Sequence, residues 1–335
     1  MTFSELIQKS RSNQGRFVNA ALDFEGVKIP AFAISGKRVG KHLHIQSAQH
    51  ASEYSGTNAA GWLMDNYDFS KLQGTFSVIP LLNIPQIFRV NSMTEYQDKL
   101  ADINLENMRF ENINRRWPGD PKGTWEARLA YFITRSGIAE ADCILDFHSC
   151  RLNDYVFTEY ATEMQESREY ARIFGAPIIV EVDKNTHYKG VFHKDGAYFL
   201  KKPTFMVEMA PTAFNSSMTI IQNAVTGLLN VMKFMKMISG KPILPKVQAL
   251  VTRGTAKLIA PKKTGYFIQN VEVGTFLKKG ESIGSLHSLE DFKVIEKFNA
   301  PFDGAVVSCG TARSCVVKPG EEVATFAKAV KVWRN

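Results

Sequence analysis

Cysteine is scarce in this chain, four residues in 335. Cys143, Cys150, Cys309 and Cys315 fall at spacings that fit neither a zinc ribbon nor a redox pair. That excludes a disulfide framework and leaves reduced core or near-surface thiols, with Cys150 close enough to His148 to modulate it. No apolar run is long enough to cross a bilayer. The first residues, Met1 to Glu5, also lack the basic stretch and apolar run of a secretory leader, so a cytoplasmic location without a membrane partner is expected. A basic track interleaved with aromatics is missing too. The net charge is +8, but Lys201-Lys202, Lys262-Lys263 and Lys278-Lys279 stand as isolated pairs beside turn residues. A solvated surface, with at most a bias towards anionic small molecules, fits better than a nucleic-acid partner. What remains is an ordinary globular composition, 44% hydrophobic and 22% charged, in a chain long enough for one large domain and a smaller one.

The pattern along residues 17 to 243 alternates strands and helices. Phe17 to Ile34 reads as a strand pair turning at Glu25-Gly26. Leu43 to Ala48 reads as a strand delivering His50, and Gly56 to Tyr67 as a helix. Phe76 to Leu82 is the next strand. Ile84 to Arg116 is polar and asparagine-rich, an extended loop with one short helix, and a loop that long is more often functional than idle. Trp125 to Ser136 reads as a helix, Cys143 to Phe147 as a buried strand ending at His148, and Tyr155 to Phe157 and Pro177 to Val180 as strands around a helix from Glu163 to Phe174. Thr204 to Val207 is a strand leading into Glu208, and Thr219 to Ile238 an amphipathic helix stopped near Gly240. The expectation is an α/β fold, a mixed and largely parallel sheet flanked by helices, with ligands beyond the carboxyl ends of its strands.

Past Pro245 short apolar runs alternate with glycine and lysine. Ala260-Pro261 leading to Gly265 and Lys279-Gly280-Glu281 is echoed by Ala300-Pro301 leading to Gly304 and Pro319-Gly320-Glu321. The repeat suggests a C-terminal small β-barrel or sandwich, residues 244–335, following a catalytic domain of residues 1–243. The half-unit resembles the barrel-sandwich fold of biotinyl and lipoyl carrier domains. Lys293 stands where their modified lysine lies, but Phe292 and Val294 flank it instead of methionines, so a plain appended domain is expected.

His50-Ala51-Ser52-Glu53 and Asp146-Phe147-His148 are the residues that carry chemistry. Two imidazoles and a carboxylate at strand exits suit zinc with one coordination position left open. Asp146 would share a strand face with His148, either supporting the site or pairing with a loop arginine. Glu208, ending an apolar strand, is costly to bury without a partner and is the candidate general base, although a glutamate capping the following loop would look the same. Asn114 and Arg115 offer a fork of donors suited to a substrate carboxylate, unless Arg115 is an ordinary surface arginine.

The order His50-x-x-Glu53, Asn114-Arg115 with Trp117-Pro118-Gly119, Asp146-x-His148 and Val207-Glu208 resembles the zinc carboxypeptidase superfamily, and within it the succinylglutamate desuccinylase/aspartoacylase branch. The resemblance spans about residues 40 to 240, and an appended β domain is usual in that branch. It implies that His50, Glu53 and His148 bind one Zn2+, that Glu208 is the general base, and that Asn114 and Arg115 hold a substrate carboxylate. A further arginine, Arg89 or Arg109, would polarise the scissile carbonyl. Two departures stand out. Ala51 replaces a frequent glycine, tolerable if the backbone there is not left-handed, and the tyrosine near the scissile bond has only Tyr188 and Tyr198 as candidates. The implied activity is hydrolysis of an N-acyl amino acid or related small amide, with a metallocarboxypeptidase acting on short peptides as the alternative. A non-catalytic binding protein would lack a ligand or the base, and homo-oligomerisation stays open.

Overall fold

The computed structural model describes residues 1–90, 111–149, 156–183, 188–209, 217–309 and 315–335. Among the described residues, nine strands and seven α-helices precede the repeat. In chain order they are α1 (Phe3–Ser12), β1 (Val18–Phe24), β2 (Val27–Ser35), β3 (Arg38–Ser47), α2 (Ser55–Asn66), β4 (Gln73–Ile79), α3 (Ile84–Val90), α4 (Trp125–Arg135), β5 (Cys143–His148), β6 (Val156–Ala161), α5 (Gln165–Phe174), β7 (Ile178–Val182), α6 (Ala197–Leu200), β8 (Thr204–Met209), α7 (Met218–Phe234) and β9 (Val247–Thr252). Strand β5 is buried at every position and β8 at all but Glu208. Such strands read as continuous apolar runs because both sheet faces are covered.

β3 runs parallel to β4 and β5, and β5 parallel to β8. On the far side of β8, β6 is antiparallel to it, with β7 and β9 following β6 in parallel. One apolar layer packs α2, α5 and α7 on one face through Leu63, Phe174 and Leu228. The other face is covered by α1 and α4 through Leu6, Leu129 and Ile133. α1 precedes the alternating pattern that begins at residue 17; Thr2 and Glu5 form a reciprocal capping box at its start, and Phe3, Leu6 and Ile7 are its buried stripe. Gly56 lets α2 approach β5, since a Cβ there would fall 2.4 Å from Phe147 Cβ.

The described residues of the C-terminal repeat form strands joined by turns: β10 (Lys257–Ile259), β11 (Gly265–Gln269), β12 (Phe276–Leu277), β13 (Ser282–His287), β14 (Val294–Asn299), β15 (Gly304–Cys309), β16 (Val316–Val317) and β17 (Ala324–Arg334). A four-stranded sheet in the order β14-β13-β11-β16 faces β12, β15 and β17 across a core of Leu286, Phe298, Val306 and Phe326. β17 pairs antiparallel with β9, so the second sheet continues into the large one. The expected boundary at 243/244 falls in the connection before β9. Lys293 is an exposed residue just before β14, ion-paired with Asp291 at 2.8 Å. Cys143 is a buried free thiol and Cys315 an exposed one; Cys150 lies outside the described residues.

Candidate metal and catalytic centre

The carboxyl ends of β3, β5 and β8 gather the chemistry-bearing residues. After β3 the chain turns through Ala48, at φ 57°, and the backbone N–H groups of Leu82 and Asn83 bind the carbonyls of Ser47 and Ala48. A non-glycine residue in the left-handed region is uncommon, and here it sets the direction of Gln49 and His50. Ala51 is not left-handed, so the glycine frequent at that place in the resembling family is not demanded by backbone conformation. His148 is the last residue of β5 and pairs in register with Glu208 of β8.

His50, Glu53 and His148 each present one ligand atom, all within 4.8 Å of one another, a group that could hold a metal ion. Glu53 Oε1 lies 3.0 Å from His50 Nδ1 and its Oε2 lies 2.8 Å from His148 Nδ1. Each imidazole is anchored through its other nitrogen. His148 Nε2 donates to Asp146 Oδ2 at 3.0 Å, and His50 Nε2 to Asn112 Oδ1 at 2.9 Å. Hydrogen bonds at Nε2 keep that nitrogen a donor, which leaves the Nδ1 side, facing Glu53, as the position a metal would take. Burial pushes the Glu53 carboxyl up, but His148 and His50 outweigh it and bring it down to about 2, so it is an anionic donor. Burial works against charge on His148, yet Asp146 and Glu53 on its two sides raise its pKa well above the ordinary value.

Among the described residues, Asp146 meets His148 and no loop arginine. Fully buried, it accepts from Gln46 Nε2 at 3.2 Å and from Gln49 Nε2 at 2.6 Å. Gln49 Oε1 in turn accepts from the indole of Trp117 at 2.8 Å. The Trp117-Pro118-Gly119 segment therefore closes a buried chain of hydrogen bonds that ends on His148. Asn114 is buried, with Oδ1 accepting from Phe192 N at 2.9 Å and Nδ2 standing 3.4 Å from His148 Nε2. Arg115 lies over the ring of Tyr188 at 4.1 Å and donates from Nη1 to the Asn114 carbonyl. Gly190, at φ 73°, passes so close that a Cβ there would sit 2.2 Å from the Arg115 carbonyl. Arg89 lies on α3, while Arg109 lies outside the described residues.

Glu208 Oε2 is buried and makes no hydrogen bond among the described residues. Burial, aided by Glu53 and Glu159 and opposed by His148 and Arg253, pushes its pKa up to about 8. A carboxyl whose pKa is raised beside a ligand set is suited to carrying a proton. Glu159 itself is fully buried on β6, between Arg253, whose Nη2 is 2.8 Å from Oε2, and His193, whose Nε2 is 3.0 Å from Oε1.

Sequence reasoning missed Gln46, Gln49, Asn112, Glu159, His193 and Arg253. Glu159 did carry a signal, a carboxylate inside the apolar run Val156–Ala161, of the same kind that singled out Glu208. The others are polar residues whose partners lie far along the chain, and no local spacing marks them.

Residues 39–235 match the model of the succinylglutamate desuccinylase/aspartoacylase catalytic domain. Among characterised relatives, an N-alpha-acetyl-L-2,4-diaminobutyric acid deacetylase of Halomonas elongata is 22% identical over 318 residues, covering 91% of this chain and 87% of its own. The fold is shared with a succinylglutamate desuccinylase/aspartoacylase of Rhodobacter sphaeroides, with a TM-score of 0.64, 22% identity, and 94% and 95% of the two chains covered. The product-bound ectoine utilization protein EutE of Ruegeria pomeroyi superposes with a TM-score of 0.63, at 22% identity over 93% and 94% of the two chains.

Proposed function

Because the chain belongs to the succinylglutamate desuccinylase/aspartoacylase family, we propose that it is a zinc-dependent amidohydrolase that removes the acyl group of a small N-acyl amino acid. The observation that carries this is the arrangement of His50, Glu53 and His148. Both imidazoles turn Nδ1 to one carboxylate, both have Nε2 tied to an oxygen, and Glu208 stands in register beside His148. Two nitrogens and a carboxylate are a donor set that fits zinc. A zinc ion held there would supply the positive charge that polarises the scissile carbonyl and acidifies water.

The chain's own residues supply the rest. Glu208 takes the proton of the water that adds to the carbonyl carbon. It then delivers that proton to the amine nitrogen as the C–N bond breaks, yielding a free carboxylate and a free amino acid. Its buried, otherwise unbonded Oε2 leaves it able to exchange that proton. Asn114 and Arg115 orient the amino-acid carboxylate, with Tyr188 bracing the Arg115 guanidinium. Asp146, held by Gln46 and Gln49, keeps His148 aimed. Arg89 and Arg109 are the candidates for an additional cation at the carbonyl. The likeness to a deacetylase of N-acetyl-diaminobutyrate and to a desuccinylase/aspartoacylase supports small N-acyl amino acids as the substrate class.

The test is an amine-release screen of the zinc-loaded protein over N-acetyl, N-formyl, N-succinyl and N-aspartyl compounds and short peptides. Release from acyl amino acids, lost about a thousandfold or more in Glu208→Gln, is the expected result. Release from peptides alone would replace this reading with a carboxypeptidase.

A further inference from the structure

Lysine is almost never fully buried unless its charge is paired, yet the Lys194 side chain is only 1% exposed. It sits in a π-helical turn, Phe192–Gly196, where the Val191 carbonyl accepts from Asp195 N at 2.7 Å and from Gly196 N at 3.3 Å. Turns of this kind recur at functional sites. A buried ammonium needs partners. Lys194 Nζ donates to the Tyr188 carbonyl at 2.9 Å and lies 3.6 Å from Asp195 Oδ2. The same carboxylate oxygen accepts from Gly190 N at 2.6 Å and from Val191 N at 3.2 Å. Lys194 and Asp195 thus clamp the backbone of residues 188–191. That stretch is what the Asn114-Arg115 segment meets. The Tyr188 ring lies under the Arg115 guanidinium, the Gly190 carbonyl accepts from Trp117 N at 3.1 Å, and Phe192 N donates to Asn114 Oδ1. His193, next in the turn, joins it to β6 through Glu159.

We propose that Lys194 is a positioning residue for Arg115: from inside the protein it fixes the backbone that carries Tyr188, and with it the surface on which the guanidinium rests. The inference rests on the assignment of Arg115 to the substrate carboxylate above and adds what aims it. Arginine has a long side chain with many rotamers to lose, so its direction has to be imposed from outside. The Tyr188 ring that supports it is itself 59% exposed, and burial therefore does not hold the ring. The hydrogen bond from Lys194 acts at the root of that ring, and a charged donor holds a carbonyl more strongly than a neutral one does. Being buried, Lys194 acts through Arg115 rather than on the substrate. A methionine at 194 fills similar space without a donor and would release the Tyr188 carbonyl. The consequence is specific, because a guanidinium reads a carboxylate through paired donors, whereas a carboxamide offers a single acceptor oxygen. Loss of aim therefore lowers the preference for a free carboxylate over its carboxamide.

The experiment compares kcat/KM of the zinc-loaded, full-length protein for the acyl amino acid cleaved fastest in the amine-release screen and for its α-carboxamide. Arg115→Met should lower the ratio of the two by about a hundredfold. Lys194→Met should lower it by about tenfold, through a higher KM for the carboxylate substrate, while kcat and the carboxamide's kcat/KM stay within about threefold of the parent. Adding Asp195→Asn to Lys194→Met removes both charges and keeps an acceptor for the Gly190 and Val191 N–H groups. This double variant should show the same lowered ratio, and it decides the matter if the single variant does not fold. A ratio lost in Arg115→Met but kept in the Lys194 variants overturns the proposal. An equal fall for both substrates, the mark of general damage to the site, also overturns it. If Arg115→Met leaves the ratio unchanged, or nothing in the screen is cleaved, the carboxylate assignment fails and hydrogen exchange judges the link by itself. The Trp117 amide, bonded to the Gly190 carbonyl, should then exchange about tenfold faster or more in Lys194→Met, and unchanged exchange overturns the proposal.

Discussion

Replacing Gln49 by leucine removes the central link of the chain Trp117–Gln49–Asp146–His148 while keeping side-chain size. Two buried groups lose a partner at once. Asp146 Oδ2 loses its 2.6 Å donor, and the Trp117 indole N–H loses its 2.8 Å acceptor. A hydrogen bond to a charged group contributes about 1.5 to 3 kcal/mol, and an orphaned buried donor costs about 1 to 3 kcal/mol. Since Asp146 keeps Gln46 and His148, the expected loss is about 3 to 5 kcal/mol in urea unfolding of the zinc-free protein. Looser aim of His148 should also weaken zinc binding by about ten- to a hundredfold, measured by competition with a chromophoric chelator. Trp117→Phe removes the indole donor, so the double variant should be less destabilised than the sum of the singles by about 1 to 2 kcal/mol. A stability loss under about 1 kcal/mol, with zinc affinity within about twofold of the parent, would refute the idea that this chain of hydrogen bonds positions the ligand.

Other consequences are equally direct. His42, bonded to Ser77 and beside His44, is held down to about 4 by burial first and by Arg11 and Lys202, against opposition from Asp142 and the Glu140 backbone. The unfolded chain therefore binds more protons below the ordinary value of 6.5, so stability is full above that pH and falls by about 3 kcal/mol as pH drops to 4; unfolding of His42→Gln over the same range should be flatter. Gly190→Ala should push away the Arg115 carbonyl, lowering kcat/KM by about ten- to a hundredfold with zinc content kept; unaltered kinetics would show that Arg115 is not tied to that loop. Truncation after Ile243 should yield a self-associating species, because it strips β9 and β17 from the edge of β7 and bares Ile178, Val180 and Met206. A monomeric, folded truncation by sedimentation would contradict this.

Where the amino-acid pattern is local, the sequence already showed the structure. β5 and β8 are mostly apolar because both sheet faces are covered, and β3 is buried over its second half, so these strands and the residues at their ends stand close to where the pattern put them. The turn at Glu25-Gly26 was equally legible, since both residues adopt positive φ there. α1 was harder to read because only Phe3, Leu6, Ile7 and Ser10 of its ten residues are buried. The return of the C-terminal strands to the large sheet depends on the pairing of β9 with β7 and of β17 with β9. Contacts of that kind, between residues far apart in the chain, leave no spacing signature. The same is true of Gln49 and Arg253, whose significance comes from the groups they meet rather than from their sequence neighbours.

The most direct test of the central claim is the metal content of the purified, zinc-reconstituted protein by elemental analysis, beside His148→Ala and Glu53→Gln. One zinc per chain, lost in both variants while their far-UV spectra stay native, is the expected result. No zinc in the parent protein, or zinc retained at full stoichiometry in both variants, would contradict the assignment of His50, Glu53 and His148 as the metal centre.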